Sequence, residues 1–128
     1  MDPKGVTIRP SPFSVQETID RLEQFLRQQG ATVYARINQQ TEAKNIGQDL
    51  LPLEFLLFGN PKVGVPVMAE SPVAALDLPL KVIAWEDKQQ KVWLAYNDAS
   101  YIGERYSLPA GLVSALNIDP LIAKALKN

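Results

Sequence analysis

The sequence predicts an α+β fold: a largely antiparallel sheet covered on one side by helices. Three observations predict it. One segment, from Ser14 to Gly30, has apolar residues at helical spacing between two capping signals. Two alternating segments, Leu80 to Glu86 and Lys91 to Tyr96, flank a turn and read as a β-hairpin. Other helical pieces lie between the strands.

The elements follow in order. Val6 to Arg9 suits a short strand, which Pro10 and Pro12 are expected to break. Ser14, with Glu17 three residues on, has the form of a capping box. Val15, Ile19, Leu22, Phe25 and Leu26 then mark one helix face, and Gly30 is its left-handed cap. Thr32 to Ile37 alternates, with Val33, Ala35 and Ile37 on one face and Thr32, Tyr34 and Arg36 on the other. Gln39 to Ile46 suits two helical turns stopped by Gly47. Leu53 to Phe58 is apolar on both faces from Phe55, which predicts a central strand or one lining a cavity. Asn60 and Pro61 are an N-cap and a first helical residue, and Pro66 predicts a short helix or a restart at Val65. After the hairpin, Asp98 is expected to cap a helix to Tyr106. The tail from Pro109 to Lys127 reads as helical, interrupted near Asn117, with a fresh start at Asp119 and Pro120.

The 128 residues fit one domain, with 46% apolar and 21% charged residues, the balance of a globular protein that needs no disulfide or metal to fold. Thirteen basic and 14 acidic residues leave a net charge of −1, and no run of Lys and Arg offers a footprint for nucleic acid or acidic lipid. No apolar run approaches the ~20 residues that span a bilayer, and Met1 to Pro10 has no signal-peptide core, so the chain reads as cytoplasmic. Cysteine and histidine are both absent. That excludes thiolate nucleophiles, a Ser-His-Asp triad, and zinc, haem or copper sites built on those side chains. No cofactor is expected.

The stretch Phe58-Gly59-Asn60-Pro61-Lys62, then Pro66 and Met68, then Leu76-Asp77-Leu78-Pro79-Leu80, then Val92-Trp93 and Tyr96, resembles the bacterial and archaeal family called domain of unknown function 302. The resemblance implies a TBP-like arrangement, in which a curved antiparallel sheet carries helices on its concave side, and it implies a homodimer. Members of the family often carry His where this chain has Gln39, and Thr where it has Val65. If an imidazole at that position acts as ligand or proton carrier, this chain lacks the group.

The remaining motifs carry less. Gly59 to Gly64 has the frame of a phosphate loop, but Val65 stands where that loop needs Lys, so the segment reads as a tight strand-to-helix turn. Asn60 and Asp77 are the polar residues of interest. Asn60 is explained by capping and Asp77 by a turn. Alternatively, they stand at the mouth of an apolar pocket. Glu86 and Asp87 are expected to be solvated at a hairpin tip, a poor setting for acid–base work. Trp85, Trp93, Tyr96, Phe55 and Phe58 lie on strands and suit core, interface or a ligand cavity.

Three functions are consistent with these residues. The first is a binding module for a small apolar ligand, with Asn60, Asp77, Tyr96 and Phe58 at the site. The second is a structural protein acting through a homodimer surface. The third is an enzyme based on carboxylates or a cofactor.

Overall fold

A computed structural model describes residues 2–127. Five strands form one antiparallel sheet in the order β1-β5-β4-β3-β2, where β1 is Val6–Ser11, β2 Thr32–Asn38, β3 Leu53–Gly59, β4 Leu80–Glu86 and β5 Val92–Asn97. The helices are α1 (Val15–Gln28), α2 (Gln39–Asn45), α3 (Pro61–Glu70), α4 (Ala99–Arg105), α5 (Ala110–Ala115) and α6 (Asp119–Ala125). A 3-10 turn covers Pro72–Asp77. This is the expected α+β architecture. Among the described residues no helix is long and apolar enough to cross a membrane.

Helix α1 forms as its sequence dictates. The Ser14 hydroxyl accepts the Glu17 N–H at 3.0 Å. Only that half of the capping box forms, because the Glu17 carboxylate pairs with Arg21 instead. At the other end Gly30 takes φ +83°, and the N–H groups of Gly30 and Ala31 reach back to the carbonyls of Arg27 and Leu26. Val15, Ile19, Leu22 and Leu26 are buried against Leu56, Val82, Ala84 and Leu94 of the sheet.

Four expectations are corrected. Strand β1 does not stop at Pro10 but continues to Ser11, with Pro10 opposite Trp93. An edge strand has a free side, so the missing N–H costs no ladder bond. Strand β2 does not place Val33, Ala35 and Ile37 on one face. The register shifts between Val33 and Ala35, so Val33 pairs with Phe58 but Ala35 pairs with Leu57. This bulge at Tyr34 sends Val33 to the helix side and Ala35 and Ile37 to the other. Helix α3 runs through Pro66 without restarting. Fully buried Val67, packed with Ala74 and Ile102, holds that segment in place. Asp98 precedes α4 without a side-chain cap. Its carboxylate accepts the Thr7 hydroxyl and so ties β1 to the end of β5.

Strand alternation gives the sheet two distinct faces. The face under α1 presents Leu56, Phe58, Val82, Ala84, Leu94 and Tyr96, all buried. It also presents Arg36, which reaches Asp20 and Glu23 of α1 at 2.6 and 3.2 Å and the buried Glu54 at 3.0 Å. The opposite face presents Ile8, Phe55, Leu57, Ile83, Trp85 and Trp93. None of these six belongs to either of the two hydrophobic core clusters. The second cluster joins Val67 of α3, Ala74, Ile102 of α4 and Leu116, and packs against Leu78 and Leu80 where β4 begins.

Candidate functional site

The segments Phe58–Pro61 and Leu76–Leu80 meet in space. Strand β3 ends at Gly59, and Asn60 caps α3 by accepting the Lys62 N–H at 3.0 Å. The Leu78-Pro79-Leu80 segment runs alongside, because β4 starts at Leu80 paired with Phe58. Between them lies a pocket of about 230 Å³. Its walls include Gly59, Asn60, Gly64, Met68, Pro79 and Leu116. At its lip stand Tyr34, the bulge residue, and Val65, which are 53% and 56% exposed. The lining is almost wholly apolar, and Gly59 adds only backbone to it. A Cβ at Gly59 would lie 3.6 Å from the Tyr34 ring.

A second pocket of about 350 Å³ lies on the other side of the same wall. The two share Leu78, Pro79, Leu80 and Leu116. This one adds Asp77, Lys81, Tyr96 and Asn97, and is the more polar of the two. The Asp77 carboxylate accepts the Tyr106 hydroxyl at 2.5 Å and Arg105 Nη1 at 3.1 Å. That hydrogen bond pushes the Tyr106 phenol above its ordinary pKa. Asp77 therefore latches the 3-10 turn to the end of α4. The Tyr96 hydroxyl donates to the Asp119 carboxylate at the start of α6. Burial first, and that carboxylate second, raise the Tyr96 phenol to about 12. Tyr96 is thus a hydrogen-bond donor and stays protonated at neutral pH.

Of the four residues singled out in the sequence, Asn60 lines the smaller pocket, while Asp77 and Tyr96 line its neighbour. Phe58 lines neither. It is 3% exposed, in the core under α1. Its position in β3 puts it on the helix face, and only its neighbours Gly59 and Asn60 reach the pocket. Tyr34 of β2, Met68 of α3 and Leu116 just after α5 complete the smaller pocket, and no local pattern in the sequence groups them. Val65 lines its lip; Gln39 lines neither pocket.

A larger concavity, about 810 Å³, lies between the starts of α4, α5 and α6. It is broad and mainly apolar, with Leu108, Val113 and Ile118 in its lining and Ser100, Glu104 and Ser114 as polar groups among them. Its Asp98 and Asp119 are already engaged by Thr7 and Tyr96. The carboxylates with shifted pKa, Glu23 and Asp87, are both lowered, by hydrogen bonds from Arg27 and from Trp93 first. Such shifts favour the charged form, the reverse of what a general acid requires. Among the described residues no group of three or more Asp and Glu has the arrangement of a metal site.

A family model described as "Domain of unknown function DUF302" matches residues 7–128. The chain belongs to the DUF302 family. The crystal structure of an uncharacterised conserved DUF302 protein from Bacillus stearothermophilus superposes with a TM-score of 0.80. It is 20% identical, and the match covers 97% of each chain. At that identity it shows the shared fold. Two curated relatives are 37% identical over 118 residues, 92% of this chain. They are the proteins named fluoride-specific ion channel FluC 1 in Brucella suis biovar 1 (strain 1330) and in Brucella abortus biovar 1 (strain 9-941). The chain spans 46% and 43% of their lengths, so the matched part is about half of each longer protein.

Proposed function

We propose that this DUF302 domain is a binding module for a small apolar ligand, held in the pocket between the end of β3, the first turns of α3 and the Leu78–Leu80 segment. One observation carries the reading. Two segments far apart in sequence, Gly59–Pro61 and Leu78–Leu80, both supply walls of one apolar pocket. Ligand sites are concave and mainly apolar, with few polar groups, and this one sits just below their usual range of about 300–1,000 Å³. It suits a compact ligand. Asn60 stands at its edge, and Asp77 and Tyr96 lie behind the shared wall. The Brucella relatives support a sensing role. There a segment like this one is about half of a protein named as an ion channel. A ligand-binding module joined to another domain acts on it at high effective concentration.

The test uses Gly64. A Cβ there meets only the Met68 methyl, at 3.8 Å, and a larger side chain enters the pocket. Replacing a helical glycine also gains up to about 1 kcal/mol of helix propensity. Native mass spectrometry of the protein from its own host should show a bound small molecule. The Gly64→Leu variant should be at least as stable and should lose it. A wild-type protein that carries nothing, or a Gly64→Leu protein that keeps its adduct, ends the proposal.

A further inference from the structure

We propose that the ligand of the pocket beside α3 is an uncharged, rigid molecule of two small rings that carries a hydrogen-bond acceptor for the Asn60 amide. The inference rests on the binding-module reading above and narrows it to a chemical class.

Charge is excluded first. No Asp, Glu, Lys or Arg lines the pocket. An anion could still seek the N-terminus of α3, whose first turn lines it, because free N–H groups there favour negative charge. Those groups are already used. Pro61 has no N–H, and the Lys62 N–H donates to the Asn60 side chain at 3.0 Å. The N–H groups of Val63 and Gly64 donate to the Asn60 carbonyl at 2.8 and 2.9 Å. A cation fares no better. The carboxylate of Asp77, in the neighbouring pocket, is held by Arg105 and Tyr106. A charge taken out of water without a partner is costly, so the ligand is neutral.

Volume and shape come next. An apolar cavity of about 150 Å³ holds one benzene ring, and about 230 Å³ leaves room for a second small ring. A flexible chain of the same volume would lose rotor freedom on binding, and a fused ring system has none to lose. Two lining side chains favour rings. Tyr34 offers an aromatic face and Met68 a polarizable thioether.

The polar groups supply the last feature. Tyr34 and Asn60 are the polar side chains of the lining. The Asn60 Oδ1 is taken by its own cap, so the Nδ2 amide, a donor, is what Asn60 has left to give. A carbonyl oxygen or a ring nitrogen answers it.

Amide chemical shifts of the intact chain test this with three probes. Coumarin is neutral, two-ringed and an acceptor. Naphthalene has the same shape without the acceptor, and octanoate is a charged chain. Coumarin should shift Gly59, Gly64 and Leu80 saturably and bind more tightly than either of the others. Asn60→Asp keeps an N-cap of equal quality but removes the amide donor. It should weaken coumarin about tenfold and leave naphthalene unchanged. Should that variant not fold, the ranking of the three probes on the wild type decides alone. Octanoate binding the same residues more tightly than coumarin overturns the ligand class but leaves a binding module. Equal coumarin affinity in wild type and folded Asn60→Asp overturns the role of the amide. Silence toward all three probes ends this inference, and the binding-module reading then stands or falls on the bound molecule and the Gly64→Leu protein.

Discussion

The two faces of the sheet are built from the same strands and differ in what they meet. Under α1, β3 contributes Glu54, Leu56 and Phe58, all buried. On the other side the same strand contributes Leu53, Phe55 and Leu57, all only partly buried. The chemistry is nearly matched and the burial is not. Apolar character alone therefore does not locate the core of this fold. The helix that arrives to cover a face does, and α1 has one apolar stripe and covers one face. The covered face also admits charge, because α1 brings Asp20 and Glu23 to meet Arg36.

Matched truncations test that difference most directly. Leu56→Ala, on the covered face, should cost about 3–4 kcal/mol in urea unfolding, from lost burial and a cavity the α1 packing cannot close. Ile83→Ala, on the open face, should cost less than that by at least about 1 kcal/mol, because the site is only partly buried. Equal costs in dilute solution would show that the two faces are not distinct.

The charged part of the covered face should give the next largest effect. Arg36→Met leaves Glu54, 6% exposed, without its guanidinium, and should destabilise by about 2 kcal/mol. Its pH dependence is distinctive. Hydrogen bonds from Arg27 and then Arg36 hold the Glu23 carboxyl below its ordinary value of 4.5. A lowered carboxyl stabilises the fold above its unfolded pKa, and that contribution is lost as pH falls through the folded one. The wild type should therefore lose stability on acidification below about pH 4.5 more steeply than the variant does. Parallel acid-unfolding curves would refute the assignment.

The smallest effect belongs to Tyr96, where the covered face meets the cleft beside α6. Tyr96→Phe removes one hydrogen bond to Asp119 and should cost about 1 kcal/mol. A raised phenol favours the fold below its unfolded pKa of 10.0, and that term fades as pH climbs toward about 12. Phenolate absorbance should show a late-titrating fraction that shrinks by one tyrosine in the variant, while Tyr106, also raised, still contributes.

Elements whose signal is local were legible in the sequence. Helix α1, the β4–β5 hairpin and the caps at Ser14 and Asn60 each depend on residues within a few positions. Expectations failed where a distant neighbour decides. Pro10 stays in its strand because β1 is an edge, which is fixed only when β1 pairs with β5. Asp98 serves Thr7 rather than its own helix for the same reason. At the candidate site, Asn60 was readable as a cap and Gly59 as a turn. The meeting of Asp77 with Tyr106, or of Tyr34 with Pro79 and Leu116, depends on packing between elements that no local pattern records.

The bulge at Tyr34 works as a phase shift written into chain length. Residues before it count toward one side of the sheet, and residues after it count toward the other. Pair the same residues without the bulge and Val33 and Arg36, three apart, can no longer both face α1. Either a core position turns outward, or the carboxylates of Asp20, Glu23 and Glu54 lose their shared cation. Side-chain substitutions near this point are graded insults, but a one-residue slip of register is a switch with no intermediate setting. The register of β2, as much as the kind of its residues, decides which side of the sheet carries charge.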